Sequence, residues 1–318
     1  MKNKRDRKLA IKKSVNLARY SNFKIGGRAR YFFEARNESD IKKAVEWARQ
    51  NKQKYFILAG GTNVLIGDEG FYGLVIKNNI KTLKRNNLRV YAGAGIAMKN
   101  LLNFTIKNKL SGLEWAGGLP GTFGGAIRGN AGAFGGEIKD SIESVEYFDT
   151  KNLKSCTLNK KQCAFGYRSS FFKVKKGDAI ILGATLKLDK GNAEKIKKAT
   201  FEKIEYRELK QPLNYPNLGS IFKNVDVKKV PKAFISKFKG KIKIDPIPVM
   251  PTAVIISEAG LKGLKIGSAE VSEKHSNFII NKRNAKASDV KKIINKIKSV
   301  IYKKYKIRLE EEIQILQK

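Results

Sequence analysis

The sequence predicts a mixed α+β chain organised in three lobes, and three observations carry that expectation. Segments of helical and strand periodicity alternate along most of its 318 residues. Two glycine-rich turns interrupt them, at residues 59–65 and 116–136. A break bearing two prolines and two asparagines, Gln211-Pro212-Leu213-Asn214-Tyr215-Pro216-Asn217-Leu218, then separates a helix-rich C-terminal third from what precedes it. The expected boundaries are 1–79 for a first lobe joined by a C-terminal strand at 307–318, 80–213 for a second lobe, and 214–306 for a separate domain.

Each element has a local reason. After a basic leader, Tyr31-Phe32-Phe33 reads as a strand. Residues 39–50 place Ile41, Ala44, Val45 and Ala48 at i, i+3, i+4, i+7 behind a capping serine or aspartate, which predicts an amphipathic helix. The apolar run Tyr55-Phe56-Ile57-Leu58 leads straight into Ala59-Gly60-Gly61-Thr62-Asn63-Val64-Leu65. Paired glycines there let backbone N–H groups approach a phosphate, and Thr62 and Asn63 add side-chain hydrogen bonds; taken alone, the segment reads equally well as an ordinary tight turn. In the second glycine-rich segment nine of 21 residues are glycine, interleaved with Ala, Leu, Phe and Ile instead of the serine of a flexible linker. It predicts a packed wall against a flat or polyanionic ligand, built from Gly117, Gly118, Pro120, Gly121, Gly124, Gly125, Asn130, Ala131, Gly132 and Ala133. Neither segment has the Lys-Ser/Thr ending of a P-loop or the G-x-G-x-x-G of a Rossmann unit, which disfavours both. Further on, residues 179–188 read as a strand and 192–208 as a helix with Ile196, Ala199, Thr200 and Ile204 on one face. Helices follow at 230–239, at 251–259 before Gly260, and at 288–304. Residues 307–315 alternate as a strand, with Ile307, Leu309, Ile313 and Ile315 on one face and Arg308, Glu310 and Glu312 on the other.

Composition narrows the chemistry. Sixty-six basic against 28 acidic residues give a formal charge of +38, a field that attracts phosphorylated metabolites, nucleic acid or anionic lipid. The cations are mostly lysine and run along the whole chain, which points to a solvated surface and no specific nucleic-acid groove. Cys156 and Cys163 form no C-x-x-C pair and His275 is the single histidine, so zinc, iron–sulfur and Ser-His-Asp or Cys-His chemistry lack their parts. No metal site is expected. Absent both a signal-peptide core and an apolar run of about 18–20 residues, a soluble cytoplasmic chain without membrane insertion is expected. Any reaction must then use carboxylate, hydroxyl, guanidinium or a bound cofactor.

Several segments, in order, resemble one family. They are Asn22-Phe23-Lys24-Ile25-Gly26-Gly27, Gly60-Gly61-Thr62-Asn63-Val64-Leu65, the glycine-rich stretch through Asn130-Ala131-Gly132-Ala133, Phe165-Gly166-Tyr167-Arg168-Ser169-Ser170, Gly219-Ser220-Ile221-Phe222-Lys223-Asn224, Ala259-Gly260-Leu261-Lys262-Gly263, residues 267–278 and Leu309-Glu310. The chain is similar to the UDP-N-acetylenolpyruvoylglucosamine reductases of peptidoglycan precursor synthesis. The resemblance implies a two-lobed FAD-binding domain of the vanillyl-alcohol-oxidase type plus a separate α+β substrate-binding domain. It further implies non-covalent FAD, NADPH as co-substrate, and UDP-N-acetylglucosamine enolpyruvate as the molecule reduced. Matched motif by motif, Tyr167 faces substrate, Arg168 is the active-site arginine, Ser220 the proton donor and Glu310 the catalytic carboxylate. Lys223 and Asn224 become diphosphate or uridine contacts, and His275 and Asn277 substrate-domain residues.

From the residues alone, alternatives stay open: Arg168 as a strand arginine with its head in water, Ser220 as a cap after Gly219, Glu310 as one of three surface carboxylates, His275 as a structural histidine. Two departures are visible. Val225 stands where the family has proline, expected to alter the loop without touching the chemistry. Between Ser170 and the strand at Ala179 there is no room for the substrate-covering insertion of one subgroup, so the chain resembles the shorter one. Rival readings are another FAD-linked oxidoreductase of the same fold acting on a hydroxy acid, and a basic nucleic-acid-binding protein.

Overall fold

The computed structural model describes residues 9–175, 177–245 and 247–317; the leader cations from Lys2 to Lys8 lie outside them. A four-stranded sheet forms the first lobe, in the order Lys12–Asn16, Arg28–Ala35, Phe71–Asn78, Tyr55–Leu58. Its last three strands are parallel. The helix Glu38–Gln50 carries the chain from Arg28–Ala35 across to the parallel strand Tyr55–Leu58, on the far side of Phe71–Asn78, burying Ile41, Ala44, Val45 and Ala48 as their spacing predicts. Its cap is Asn37 and not the serine or aspartate expected. Asn37 Oδ1 accepts the Asp40 N–H at 2.9 Å, while the Asp40 carboxylate turns back to the Arg36 N–H at 2.8 Å.

The second lobe is an antiparallel five-stranded sheet in the order Lys154–Asn159, Ile142–Asp149, Ala179–Lys187, Arg89–Gly93, Leu83–Asn86. Phe148, Ile180 and Leu182 on one face share a core with the first lobe's helix. Val90, Val145, Ala184 and Leu186 on the other face pack with residues of the helices Met98–Lys107 and Phe123–Gly129. The glycine-rich segment therefore contains a helix, followed by a hairpin pairing Gly132–Ala133 with Gly136–Glu137. Outside this lobe runs the helix Ala193–Lys210, capped by Asn192 and burying Ile196, Thr200 and Arg207.

In the C-terminal domain the strands Asn217–Ser220, Phe278–Asn281, Ala269–Val271 and Lys265–Ile266 form an antiparallel sheet. The helix Ala287–Tyr305 buries Val290, Ile293, Ile294, Ile297 and Ile301, and Phe23, Ile25 and Leu65 of the first lobe enter the same core. The strand expected over 307–315 is corrected here. Only Gln314–Leu316 is a strand, parallel to Val64–Ile66 of the first lobe. Upstream of it Ile307, Leu309 and Ile313 are buried as the alternation requires, but the backbone bonds a loop. The Glu312 N–H donates to the Ile221 carbonyl at 2.8 Å and the Lys223 N–H to the Glu310 carbonyl at 2.9 Å. Alternation specifies which side chains face the core and not what the backbone pairs with. This pairing lays residues 310–312 beside 221–223, where the candidate site forms.

Candidate active site

The two glycine turns meet. A Cβ on Gly60 would stand 2.7 Å from the Gly121 Cα, and one on Gly121, whose φ is +100°, would stand 2.7 Å from Thr62 Oγ1. Only glycine permits that approach of two backbones. A Cβ on Gly125 would sit 3.7 Å from the Ala59 Cβ and from Thr122 Oγ1, so residues 59–62 and 121–125 line one wall. Lys77 donates to the Ala59 carbonyl and fixes the first turn from behind. Five buried side-chain polar atoms among the described residues have no partner: Trp115 Nε1, Thr122 Oγ1, Arg168 Nη1, Arg207 Nη2 and His275 Nδ1. Buried polar groups are ordinarily paired; of the five, Thr122 Oγ1 belongs to this wall and Arg207 Nη2 to the side chain packed on Gly118 beside it.

Arg168 stands at the centre of the second feature. It lies in a tight turn whose ends, Gly166 and Ser169, exchange backbone hydrogen bonds of 3.0 and 3.1 Å, and its φ of +50° is a left-handed conformation uncommon for arginine. Lys173 Nζ donates to its carbonyl at 2.7 Å. The guanidinium is held by the Gly132 carbonyl (Nη2, 2.8 Å) and Glu312 (Nε to Oε1, 3.2 Å), with Asp245 at 3.9 Å from Nη2 and the Tyr167 ring 5.0 Å away. Nη1 is left open. Burial opposes the charge on Arg168, but Glu312, Tyr167 and Asp245 keep its pKa above the ordinary value. Burial pushes Glu312 upward against the pull of Arg168, Lys173 and Lys223. It also raises Tyr167 to about 12, so that phenol stays neutral. Lys173 is lowered by burial and by the neighbouring charges of Lys223 and Arg128, while Glu312 and Glu310 pull it the other way.

Several expected residues stand otherwise than the sequence suggested. Glu310 is 68% exposed and paired with Lys223, whereas Glu312 is the carboxylate on Arg168. Asn130, fully buried with φ +42°, spends its side chain on Glu137, on the Gly166 carbonyl and on the Lys139 N–H, and so holds the Arg168 turn instead of facing a ligand. Asn277 accepts the Phe222 N–H at 3.1 Å and donates to its carbonyl at 2.8 Å, clamping the loop that carries Lys223. Asn224 likewise receives the Thr252 N–H at 3.1 Å. His275 is edge-on to Phe278, and burial lowers it to about 4. Val64 and Leu65 point into hydrophobic cores, leaving only their backbones to any ligand. Gly117 and Gly118 admit the helix Ala193–Lys210 and its Arg207, whose Nε donates to the Gly117 carbonyl at 2.8 Å. Pro120 is exposed beside them, while Gly124 packs on Ala94 and Ala131 and Ala133 pack on the second-lobe core. Ser220, half-buried, ends the strand that pairs with Phe278, and Gly219 before it takes φ +75°.

Sequence reasoning missed Glu312, Lys173, Arg207 and Asp245. Glu312 was visible as the polar-face residue nearest the paired strand. A buried arginine inside a lysine-rich helix face gives no such signal. Asn63 joins the two features: its Nδ2 donates to the Glu312 carbonyl at 3.1 Å and its own carbonyl accepts the Gln314 N–H at 2.9 Å.

A family described as the UDP-N-acetylenolpyruvoylglucosamine reductase C-terminal domain matches residues 211–316, and one described as a FAD binding domain matches 29–152. The UDP-N-acetylenolpyruvoylglucosamine reductase of Caldanaerobacter subterraneus subsp. tengcongensis is 37% identical over 94% of this chain and 91% of its own length. That of Clostridioides difficile is 36% identical over 96% and 93%. This chain belongs to the UDP-N-acetylenolpyruvoylglucosamine reductase family. A solved structure of the Thermus caldophilus reductase superposes with a TM-score of 0.77 at 28% identity, covering 98% of this chain and all of that one. The expected architecture, a two-lobed FAD-binding domain followed by a reductase C-terminal domain, is the one this family has, and membership sets aside both rival readings. The joined glycine turns and the unpartnered Thr122 and Arg207 atoms fit a flavin dinucleotide. Among the described residues no group of three or more His, Cys, Asp or Glu gathers as a metal site, and no helix is long and apolar enough to cross a membrane.

Proposed function

We propose that this reductase-family protein reduces the enolpyruvyl ether of UDP-N-acetylglucosamine enolpyruvate to the lactyl ether, with NADPH as electron donor and non-covalently held FAD. The observation that carries the reading is the open Nη1 of a buried arginine whose Nε is already paired with a carboxylate. Bound FAD supplies hydride chemistry; residues 60–63 and 121–125, with Arg207, are the groups that would hold it. His275, the single histidine, belongs to the C-terminal domain and not to the FAD-binding region, which supports non-covalent binding.

The remaining work falls to side chains. Arg168 receives the substrate carboxylate through Nη1 and stabilises the negative charge that grows there when the double bond is reduced. The left-handed turn, Lys173 and Gly132 hold the guanidinium so that it need not reorganise. Ser220, on the strand running into the segment bonded to Glu312, delivers the proton to the ether-bearing carbon, a role a hydroxyl performs when charged neighbours polarise it. Glu312 takes the part of the carboxylate that the motif had placed at Glu310. Lys223, Arg128 and Lys173 set a positive field for the diphosphate, and neutral Tyr167 presents ring and hydroxyl to the substrate.

The test is the visible spectrum of the purified protein under anaerobic conditions. Bleaching of the flavin band by NADPH and its recovery on adding the enolpyruvyl compound are expected. Bleaching without recovery would move the acceptor elsewhere, and no flavin band after adding FAD would remove the reading.

A further inference from the structure

Between Asn224 and Pro251 the chain leaves the C-terminal domain's main sheet on an excursion of its own. It comprises Val225–Asp226, the short helix Lys232–Phe238, and the strands Lys243–Ile244 and Pro248–Met250, with Val225 opposite Met250 and Lys243 opposite Val249. The base is closed by Thr252, whose N–H reaches Asn224 Oδ1 at 3.1 Å and whose Oγ1 donates to the Lys223 carbonyl at 2.6 Å. Val225, Val230, Phe234, Phe238 and Met250 root it in the domain core, with Phe234 4.5 Å from Phe238 and 4.6 Å from Tyr305. Val225, where the family has proline, is buried in that core, and twenty residues further on the excursion reaches Arg168.

Its charge pattern is one-sided. From Val227 to Ile244 it holds seven lysines and no acid; the next residue is Asp245, and no other acid follows before Pro251. Apart from Asp226 at its start, Asp245 is the excursion's one carboxylate; it is one-quarter exposed and stands 3.9 Å from Arg168 Nη2, and its backbone N–H closes a turn onto the Ile247 carbonyl at 2.9 Å. At 3.9 Å it is an ion pair without a hydrogen bond, on the rim of a guanidinium whose Nε belongs to Glu312 and whose Nη1 is open. A carboxylate ligand prefers two parallel N–H donors, and with Nε on Glu312 and one Nη2 hydrogen on the Gly132 carbonyl, Nη1 and the second Nη2 hydrogen remain for it. Such a ligand arrives where Asp245 stands.

We propose that Asp245 is a displaceable counter-ion of Arg168: it neutralises the guanidinium in the free protein, yields it to the carboxylate of the substrate, and thereby sets the affinity for that carboxylate. This rests on the reading of Arg168 as the substrate-carboxylate receptor. Like charges at a shared cation oppose one another, and beside a guanidinium as little exposed as Arg168 the competition is worth roughly five- to thirtyfold in affinity.

The experiment uses the flavin-loaded full chain and the variants Asp245→Asn, Asp245→Ala and Arg168→Lys. Binding of UDP-N-acetylglucosamine enolpyruvate without NADPH is read from the perturbed flavin spectrum, and of UDP-N-acetylglucosamine, which lacks the carboxylate, by displacement. Both Asp245 variants should tighten the enolpyruvyl ligand roughly five- to thirtyfold, in Kd and in KM and not in kcat, and leave UDP-N-acetylglucosamine within twofold. Unchanged or weaker binding of the enolpyruvyl ligand in both variants overturns the proposal, as does equal tightening of both ligands, which would reduce the effect to lost negative charge. If Arg168→Lys fails to weaken the enolpyruvyl ligand, the reading of Arg168 itself falls. If it weakens that ligand while the Asp245 variants do not tighten it, only the counter-ion role falls.

Discussion

Replacing Glu312 by glutamine, with Glu310→Gln beside it, separates two carboxylates two residues apart that the sequence pattern treats alike. Glu312 is one-quarter exposed and bonded through Oε1 to Arg168, itself 12% exposed. Removing one partner of a buried ion pair costs about 3–5 kcal/mol where the remaining charge has nothing else. Here the Gly132 carbonyl and Asp245 stay on the guanidinium, and glutamine retains an oxygen for Nε, so the cost to stability falls to about 1–2 kcal/mol. Turnover should fall further, by about 10²–10⁴-fold, because the lost charge also polarises the protonation step. Glu310 is 68% exposed with Lys223 as its partner, a surface pair worth roughly 0–1 kcal/mol, and its variant should turn over within about threefold of the parent. Urea unfolding of the flavin-loaded protein and steady-state NADPH oxidation measure the two effects. Equal damage from both variants, or greater damage from Glu310→Gln, would refute the placement of the catalytic carboxylate at Glu312.

Three further outcomes follow from the geometry. Ser220→Ala should leave bleaching of the flavin band by NADPH intact while slowing its recovery with the enolpyruvyl compound by about 10²–10⁴-fold in stopped flow; equal slowing of both phases would remove the proton-donor role. Gly60→Ala sets a methyl group 2.7 Å from the Gly121 Cα and 3.1 Å from the Thr122 N, backbone that has nowhere to go. It should cost about 1–3 kcal/mol and release flavin on gel filtration, and a variant that keeps stoichiometric flavin would show that the two turns do not form the cofactor wall. Asp68 accepts from the Ala287 and Ser288 N–H groups, capping from the first lobe the helix that organises the C-terminal domain. Burial works against its carboxylate, but those N–H groups and Lys286 hold it below the usual carboxylate range. A depressed acid contributes stability above its unfolded value and loses it as pH falls through the folded one, here below about pH 4. Asp68→Ala should cost about 1 kcal/mol at pH 7 and progressively less as the pH falls below about 4 in denaturant titrations, and a loss that does not shrink with acid would contradict the cap.

What was legible in the sequence was what obeys local rules. The helix 38–50 and the helix near 288–304 wrote their buried faces in a 3.6-residue period, and the glycine turns announced close approach by having no Cβ. The four further strands of the second-lobe sheet were harder to see. In Leu83–Asn86 and Lys154–Asn159 the edge position leaves mostly exposed polar residues, so no alternation builds up. Side-chain direction was less legible still. Asn130 and Asn277 sit within motif stretches, and a motif match does not distinguish a residue that touches ligand from one that holds the backbone that does. Arg207 and Asp245 escaped because their significance lies in a neighbour distant in sequence, Gly117 in one case and Arg168 in the other.

The pairing of Val64–Ile66 with Gln314–Leu316 has a consequence for the order in which the chain can mature. Asn63 and Glu312, bonded across that junction, are 249 residues apart. At a synthesis rate of about 5–20 residues per second, the early strand waits roughly 12–50 s for its partner. During that interval the first glycine turn lacks one of its flanks, and the edge of Val64–Ile66 stays unpaired. If residues 60–63 hold the flavin as proposed, the turn that cradles it is completed only when the C-terminal strand arrives, so flavin capture belongs to the end of the chain's maturation.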